Sequence, residues 1–394
     1  MYFTWLGFLM LSFWASADST GPKQSAESYF NRTAGRGNLL FVRLRIEDGP
    51  EMPFMLDTGA PITVLDTSLD GGLGKVLGTN VVSYGWRGCR TNLLFNAPKL
   101  YLGDVELHGG NQIWVDDVKN IYPPAVGILA RDYLQHCRVQ LDFTQFKISL
   151  LTPGQLKTNL SRDTLQFSLN IGMNLMGVKG ARTMVDTGDY QDGALEAQTF
   201  QRQLQSQNHG ASLHEWADAS GRRQSWLYLP EITFRNHTYT NLVLEDCAFS
   251  SDPTMNTIGL RFLARHLVIF DFPNNRLFLK QKSVGPLADP EVEAGMNFLK
   301  NLKRNNQCPG FSSDDKASIG RHHYETGLFA GTYPVSITYD SKKQNDDSIY
   351  HYTVGHNAAN GSWILQKAWK TSQEGDVLQA FPVSGSEQLT PGHN

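Results

Sequence analysis

Two Asp-Thr-Gly triplets stand in this chain, Asp57-Thr58-Gly59 and Asp186-Thr187-Gly188, and each closes an apolar run. The first run is Pro53-Phe54-Met55-Leu56 and the second is Thr183-Met184-Val185. A carboxylate at the tip of a buried strand is costly to hold even once, so two copies point to two carboxylates that face each other. Carboxyls within ~3 Å cannot both ionise, and such a pair keeps one proton over a broad acid range. The ionised member can take a proton from water while the protonated member donates to a carbonyl oxygen. This is hydrolysis without metal, cofactor or covalent intermediate. The apparent pKa values of such a dyad belong to the pair, and the residues alone give neither Asp57 nor Asp186 a fixed role.

The elements that position these triplets occur twice as well. After the first comes Val126-Gly127-Ile128-Leu129-Ala130-Arg131-Asp132-Tyr133-Leu134, then Val139-Gln140-Leu141-Asp142-Phe143. After the second comes Thr257-Ile258-Gly259-Leu260-Arg261-Phe262-Leu263, then Val268-Ile269-Phe270-Asp271-Phe272. Asp57 and Asp186 are 129 residues apart, as are Asp142 and Asp271, and Tyr133-Leu134 falls on Phe262-Leu263 at the same shift. Separate motifs sharing one offset mark an internal duplication, which sets the architecture before local propensity does.

These residues resemble the pepsin and retropepsin superfamily of aspartic proteases, in which each lobe carries a hydrophobic-hydrophobic-Asp-Thr-Gly motif and a later hydrophobic-hydrophobic-Gly motif. The resemblance covers residues 36–282. Because the lobes look shorter than those of pepsin, a fused, retropepsin-like pair is the closer comparison. It implies a mainly β, two-lobed fold of pseudo-symmetric double-psi β-barrel-type lobes. It also implies an aspartic endopeptidase in which Asp57 and Asp186 are catalytic and Thr58, Gly59, Ala60, Thr187 and Gly188 support the dyad. Thr58 and Thr187 would bond across the interface beneath the acids. Val81 to Gly88 resembles the family's flap hairpin, with Tyr84 and Gly85 over the substrate. The stretch around Ala219-Ser220-Gly221 lacks a Tyr-Gly, which implies a single flap. A peptide or protein is the implied partner, and with both halves on one chain a monomer suffices for the site.

Three positions depart from the pattern. Asp189 stands where Ala60 obeys the family preference for Ser, Thr or Ala. It is expected to turn to solvent or cap the next turn; pointed at the dyad, it would raise the dyad's apparent pKa. Ala130 stands where a glycine is expected, although Gly259 fills that place in the second half. Asp189-Tyr190-Gln191-Asp192-Gly193 is more polar than the Pro61-Ile62-Thr63-Val64 it should mirror. These departures keep a second reading open, a catalytically degraded module that binds peptide or protein.

The remaining sequence bounds the setting. At 394 residues the chain is long enough for two or three domains, and a net charge of −3 without a basic stripe excludes nucleic acid as an expected partner. Tyr2 to Trp14 is apolar and Ala15-Ser16-Ala17 offers a small-x-small cleavage site, so residues 1–17 read as a signal peptide. That run is shorter than the ~20 residues of a spanning helix. The expectation is a secreted protein, extracellular or periplasmic, with no stable membrane span after signal removal. Cys89, Cys137, Cys247 and Cys308 allow three full pairings. Asn31, Asn159, Asn236 and Asn360 head glycosylation sequons. His322, His323, His351 and His356 lack metal-binding spacing, so no metal site is expected.

Residues 18–35 read as a flexible lead-in, 36–152 as the first lobe, 153–163 as a polar connector and 164–282 as the second lobe. Alternating apolar residues predict hairpins over 139–150 and 268–279. Residues 283–394 read as a small accessory α+β domain, with a helix over Glu291 to Asn305 and strands over 333–339, 349–354 and 363–369. Trp363 and Trp369 lie six apart on the last of these, and are expected to share a face.

Overall fold

A computed structural model describes residues 25–83, 89–159, 164–168, 182–206, 212–217, 223–246, 255–312, 317–344, 346–357 and 360–383. The protein is mainly β, with two lobes related by the duplication. In the first lobe a nine-stranded sheet contains strand Glu51–Leu56, which ends at Asp57. It pairs in parallel with Gly127–Leu129, Ile128 opposite Met55 and Leu129 opposite Leu56. In the second lobe Arg182–Val185 pairs in parallel with Met255–Ile258, Thr257 opposite Met184 and Ile258 opposite Val185. Shifted by the repeat offset, the two registers are the same. These strands are apolar because they are covered on both faces; Phe54, Leu56, Val185 and Ile258 are all buried.

The lobes are joined by a six-stranded sheet that crosses between them. Strand Arg138–Asp142 of the first lobe pairs antiparallel with His266–Asp271 of the second. Gln140 lies opposite Ile269, its own counterpart in the repeat, so the pseudo-twofold axis passes between these two residues. The outer strands of this sheet are Ala26–Tyr29 and Leu165–Ser168. One apolar core includes residues of both lobes, among them Leu141, Phe143, Val268 and Phe270.

The expected flexible lead-in needs correcting over its described part. Ala26–Tyr29 is a paired strand, Phe30 and Ala34 are fully buried, and Asn31 donates to Thr33 Oγ1 and Leu39 O and accepts from Phe41 N. A side chain so spent is not available for a sugar. The polar connector also holds structure, a helix over Pro153–Asn159.

Residues 290–381 form a five-stranded antiparallel sheet covered by helix Pro290–Arg304, with an apolar core of their own. Asp289 caps the helix by accepting from the amides of Glu291 and Val292, and Pro290 fills its first turn, where no amide partner is needed. The unit is docked on the first lobe: Phe329 joins that lobe's apolar cluster, and Arg32 donates to Gly327 O and pairs with Glu291.

Trp363 and Trp369 do not share a face. Thr353 pairs with Lys367 but Val354 pairs with Leu365, so Gln366 is the extra residue of a bulge and the alternation flips there. Trp363 packs against the unit's core beside His356, whereas Trp369 stacks on His351 at 4.9 Å on the other face. Cys137 and Cys308 are buried free thiols, so none of the three full disulfide pairings is present. Among the described residues, no helix is long and apolar enough to cross a membrane.

Candidate active site

Each Asp-Thr-Gly turn is anchored where its two parallel strands end. Asp57 N donates to Leu129 O and Asp186 N to Ile258 O, both at 2.9 Å. Below them the threonines exchange bonds across the axis. Thr58 N donates to Thr187 Oγ1 at 3.0 Å and Thr187 N to Thr58 Oγ1 at 3.1 Å. Each hydroxyl then donates to the opposite lobe, Thr58 Oγ1 to Val185 O at 2.8 Å and Thr187 Oγ1 to Leu56 O at 2.7 Å. Both threonines are buried, so the four bonds are shielded from water and fix the two turns against each other.

The glycines make the close approach possible. A Cβ on Gly59 would lie 2.6 Å from Asp186 Cγ, and a Cβ on Gly188 would lie 2.7 Å from Asp57 Cγ. Each glycine therefore lies against the carboxyl of the other lobe, and any side chain there would drive the two acids from their places. The structure brings together Asp57, Thr58, Gly59, Ala60, Asp186, Thr187 and Gly188 at one point on the axis.

The two carboxyls are not equivalent. Asp57 Oδ1 accepts from two amides, Gly59 N at 2.8 Å and Ala60 N at 2.9 Å. Asp186 Oδ1 accepts from Gly188 N at 2.8 Å, and the next amide, that of Asp189, is directed instead at Asp186 O at 3.4 Å. Amide donors favour the charged form of a carboxyl. Burial first, then the charges of Asp57 and Asp189, hold the Asp186 carboxyl well above the usual carboxylate range.

Asp189, expected to turn to solvent or cap the next turn, borders the site. It does cap its own turn, accepting from Gln191 N at 3.0 Å, but it does not turn to solvent: its second oxygen accepts from Thr257 Oγ1 at 2.8 Å. Burial raises its pKa against the pull of those two donors. The signal was present in the sequence as the mismatch with Ala60.

Ala130 replaces glycine without strain. It is fully buried with φ at −107°, and its amide donates to Thr63 Oγ1 at 3.1 Å. Gly259 has no such freedom, since a Cβ there would lie 2.3 Å from Gln191 O. The polar loop of the second lobe thus crowds the strand end that the first lobe leaves open.

Tyr84 and Gly85 lie outside the described residues. The strands that lead to them, Gly78–Ser83 and Cys89–Asn96, pair as an antiparallel hairpin with Ser83 opposite Cys89. The second lobe has a hairpin of the same kind, with Ala217 opposite Arg223, and its connection also lies outside the described residues.

No protein-family model matches the chain, and no curated protein matches it either. Among solved structures it is similar to an aspartic proteinase from Irpex lacteus, with 13% identity, a TM-score of 0.41, and coverage of 66% of this chain and 98% of the other. It is similar also to basic 7S globulin from soybean, with 12% identity, a TM-score of 0.43, and coverage of 67% and 96%. At these scores the likenesses carry no weight for the site, whose case is its own geometry.

Proposed function

We propose that the protein is an aspartic endopeptidase that hydrolyses peptide bonds with a water activated between Asp57 and Asp186. The observation that carries this reading is the reciprocal packing of each glycine against the other lobe's carboxyl, locked by the threonine exchange beneath. Asp57, with two amide donors, serves as the ionised member and takes a proton from the water. Asp186, whose surroundings favour its neutral form, donates to the scissile carbonyl as the tetrahedral intermediate forms. Fixed donors and a rigid base leave little to rearrange during the step. The substrate lies extended between the lobes, under the hairpin that ends at Ser83 and Cys89. Residues 1–17 serve as a signal for secretion in this reading.

Asp189 supports a second reading, a protease-like module that binds peptide without cleaving it, because a third acid beside the dyad burdens the shared proton. One assay separates the two. The chain without residues 1–17 is incubated with denatured protein and a peptide library from acidic to neutral pH, beside Asp57→Asn and Asp186→Asn. Cleavage by the parent that either change abolishes supports the endopeptidase. Cleavage that persists in both variants removes the dyad from the mechanism, and a parent that binds peptides but cleaves none at any pH supports the module.

A further inference from the structure

The accessory unit holds a cavity of about 380 Å³ between helix Pro290–Arg304 and the sheet. Met296, Leu299, Phe311 and Ile319 give it an apolar interior. The hydroxyls on its wall are already committed to backbone: Tyr339 donates to Val292 O, Tyr352 to Pro309 O and Ser341 to Ser318 O. An occupant therefore finds little to hydrogen-bond inside. Lys300, Lys303 and Arg304 line its wall, and no carboxylate does among the described residues. Lys343 adds a fourth cation, with its ammonium 5.0 Å from the Phe311 ring centre, and Lys303 lies 5.5 Å from the same ring.

Lys303 and Arg304 complement the helix C-terminus, as cations in a last turn do. That role does not extend to Lys300, a turn earlier, and Lys343 comes from the sheet, where its ammonium lies over the Phe311 and Tyr350 rings. Cations converging from two elements on the rim of an apolar cavity are the arrangement that holds one anionic head above an apolar body.

We propose that this cavity binds a small amphipathic anion, an apolar chain with one carboxylate, independently of the Asp57–Asp186 site. The chain fills the space between Met296 and Ile319, and the carboxylate meets Lys300, Lys303 and Arg304. Lys300 and Arg304 are exposed, so changing them alters the rim and leaves the core in place.

The test uses the full chain and sodium decanoate below its micelle concentration, with 1-decanol as the uncharged match, measured by calorimetry. Decanoate is expected to bind once per chain, and decanol about tenfold more weakly, the loss of one charge-assisted contact set. Lys300→Glu with Arg304→Glu should weaken decanoate about tenfold and leave decanol unchanged. Met296→Trp, which fills the cavity from a half-buried position, should remove both. Asp57→Asn should bind decanoate as the parent does, whether or not the parent cleaves peptides. Equal affinity for acid and alcohol, or decanoate binding that survives both rim and cavity changes, overturns the proposal. So does absence of binding to a folded parent, which would mean that the chain's own residues occupy the space.

Discussion

Asp192 Oδ2 accepts a hydrogen bond from Arg261 Nη1 at 3.0 Å, in the place where the first lobe pairs Thr63 with Asp132. Both pairs span 69 residues, and each member lies one repeat from its counterpart. The acid has changed sides. In the first lobe Asp132, on the helix, takes the amide and hydroxyl of Thr63 at 3.0 and 2.6 Å. In the second an acid on the loop meets an arginine on the helix. Either way the loop after the Asp-Thr-Gly triplet is tied to the short helix, Arg131–Leu134 or Leu260–Leu263, that follows the parallel partner strand. Within the polar stretch from Asp189 to Gly193, Asp192 thus makes the same tie with the acid on the other element.

The exchange has an energetic consequence. Asp192 also accepts from Arg265 Nη2 at 2.8 Å, and Arg265 is fully buried. Asp192→Ala would leave that guanidinium uncompensated, a loss of about 3–5 kcal/mol. Thr63→Ala keeps the amide donor to Asp132, removes only the neutral hydroxyl donor and leaves the buried Ala130 amide without its acceptor, and should cost about 1–3 kcal/mol. Urea unfolding measures both. A smaller loss for Asp192→Ala than for Thr63→Ala would show that the ion pair does not hold the second loop.

The threonine exchange should behave as one unit. Thr58→Val removes the bond to Val185 O and orphans the amide of Thr187; Thr187→Val does the mirror image to Leu56 O and the amide of Thr58. Each should cost about 1–3 kcal/mol and lower activity by misplacing the acids. The two side chains share no bond, so a double variant that loses less than the two single losses combined would mean that either change alone already displaces both turns. Strict additivity in a double-mutant cycle would show that the two turns do not act as one unit.

Asp189 should set the upper pH limit. It and Asp186 both have raised pKa values, so the folded state keeps protons that the unfolded chain has released. Their contribution to stability is complete in acid and is lost as pH rises through the raised values. Asp189→Asn removes one such group and one charge beside the other. The variant's stability relative to the parent should therefore increase from acid toward neutral pH. If the protein cleaves peptides, the alkaline limb of kcat/KM should move to lower pH, because the dyad now gives up its shared proton more readily. Thermal unfolding across pH tests the first statement without any need for activity.

The duplication was legible because its motifs are local: the apolar run before each Asp, the later strand and the hairpin beyond it keep one offset. The contacts between copies were not. Nothing in Gln140 announces that it lies opposite Ile269, since antiparallel pairing across the axis depends on how two lobes dock. The strand at Ala26–Tyr29 is short and half polar, and only its pairing with Lys147–Leu150 makes it one. The tryptophans were misplaced for a comparable reason. Spacing gives a shared face only while the alternation runs unbroken, and the bulge at Gln366 was invisible in the string. Asp189 was legible as a mismatch, but the bond it accepts from Thr257 depends on a strand far along the chain.

His266 should limit stability in acid. Phe262 O lies 3.1 Å from Nδ1 and can only accept, so Nδ1 carries the proton and Nε2 accepts from the Tyr239 hydroxyl at 2.9 Å. The ring is therefore held neutral, and burial pushes its pKa down from 6.5 to about 3. A group with a depressed folded value binds its proton first in the unfolded chain. Stability from this source is present above about 6.5 and is lost as pH falls toward about 3, with a slope of up to ~1.4 kcal/mol per pH unit. The first lobe avoids this, since the counterpart of His266 is Cys137, a buried thiol whose pKa is pushed up to about 12 and which stays neutral throughout. His266→Cys, combined with Tyr239→Phe so that no hydroxyl is orphaned, transfers that arrangement to the second lobe. The double variant should be less stable than the parent at pH 7 through lost packing, and its unfolding free energy should fall less steeply between pH 6.5 and 3. Parallel curves over that interval would mean that His266 takes up no proton on acid unfolding.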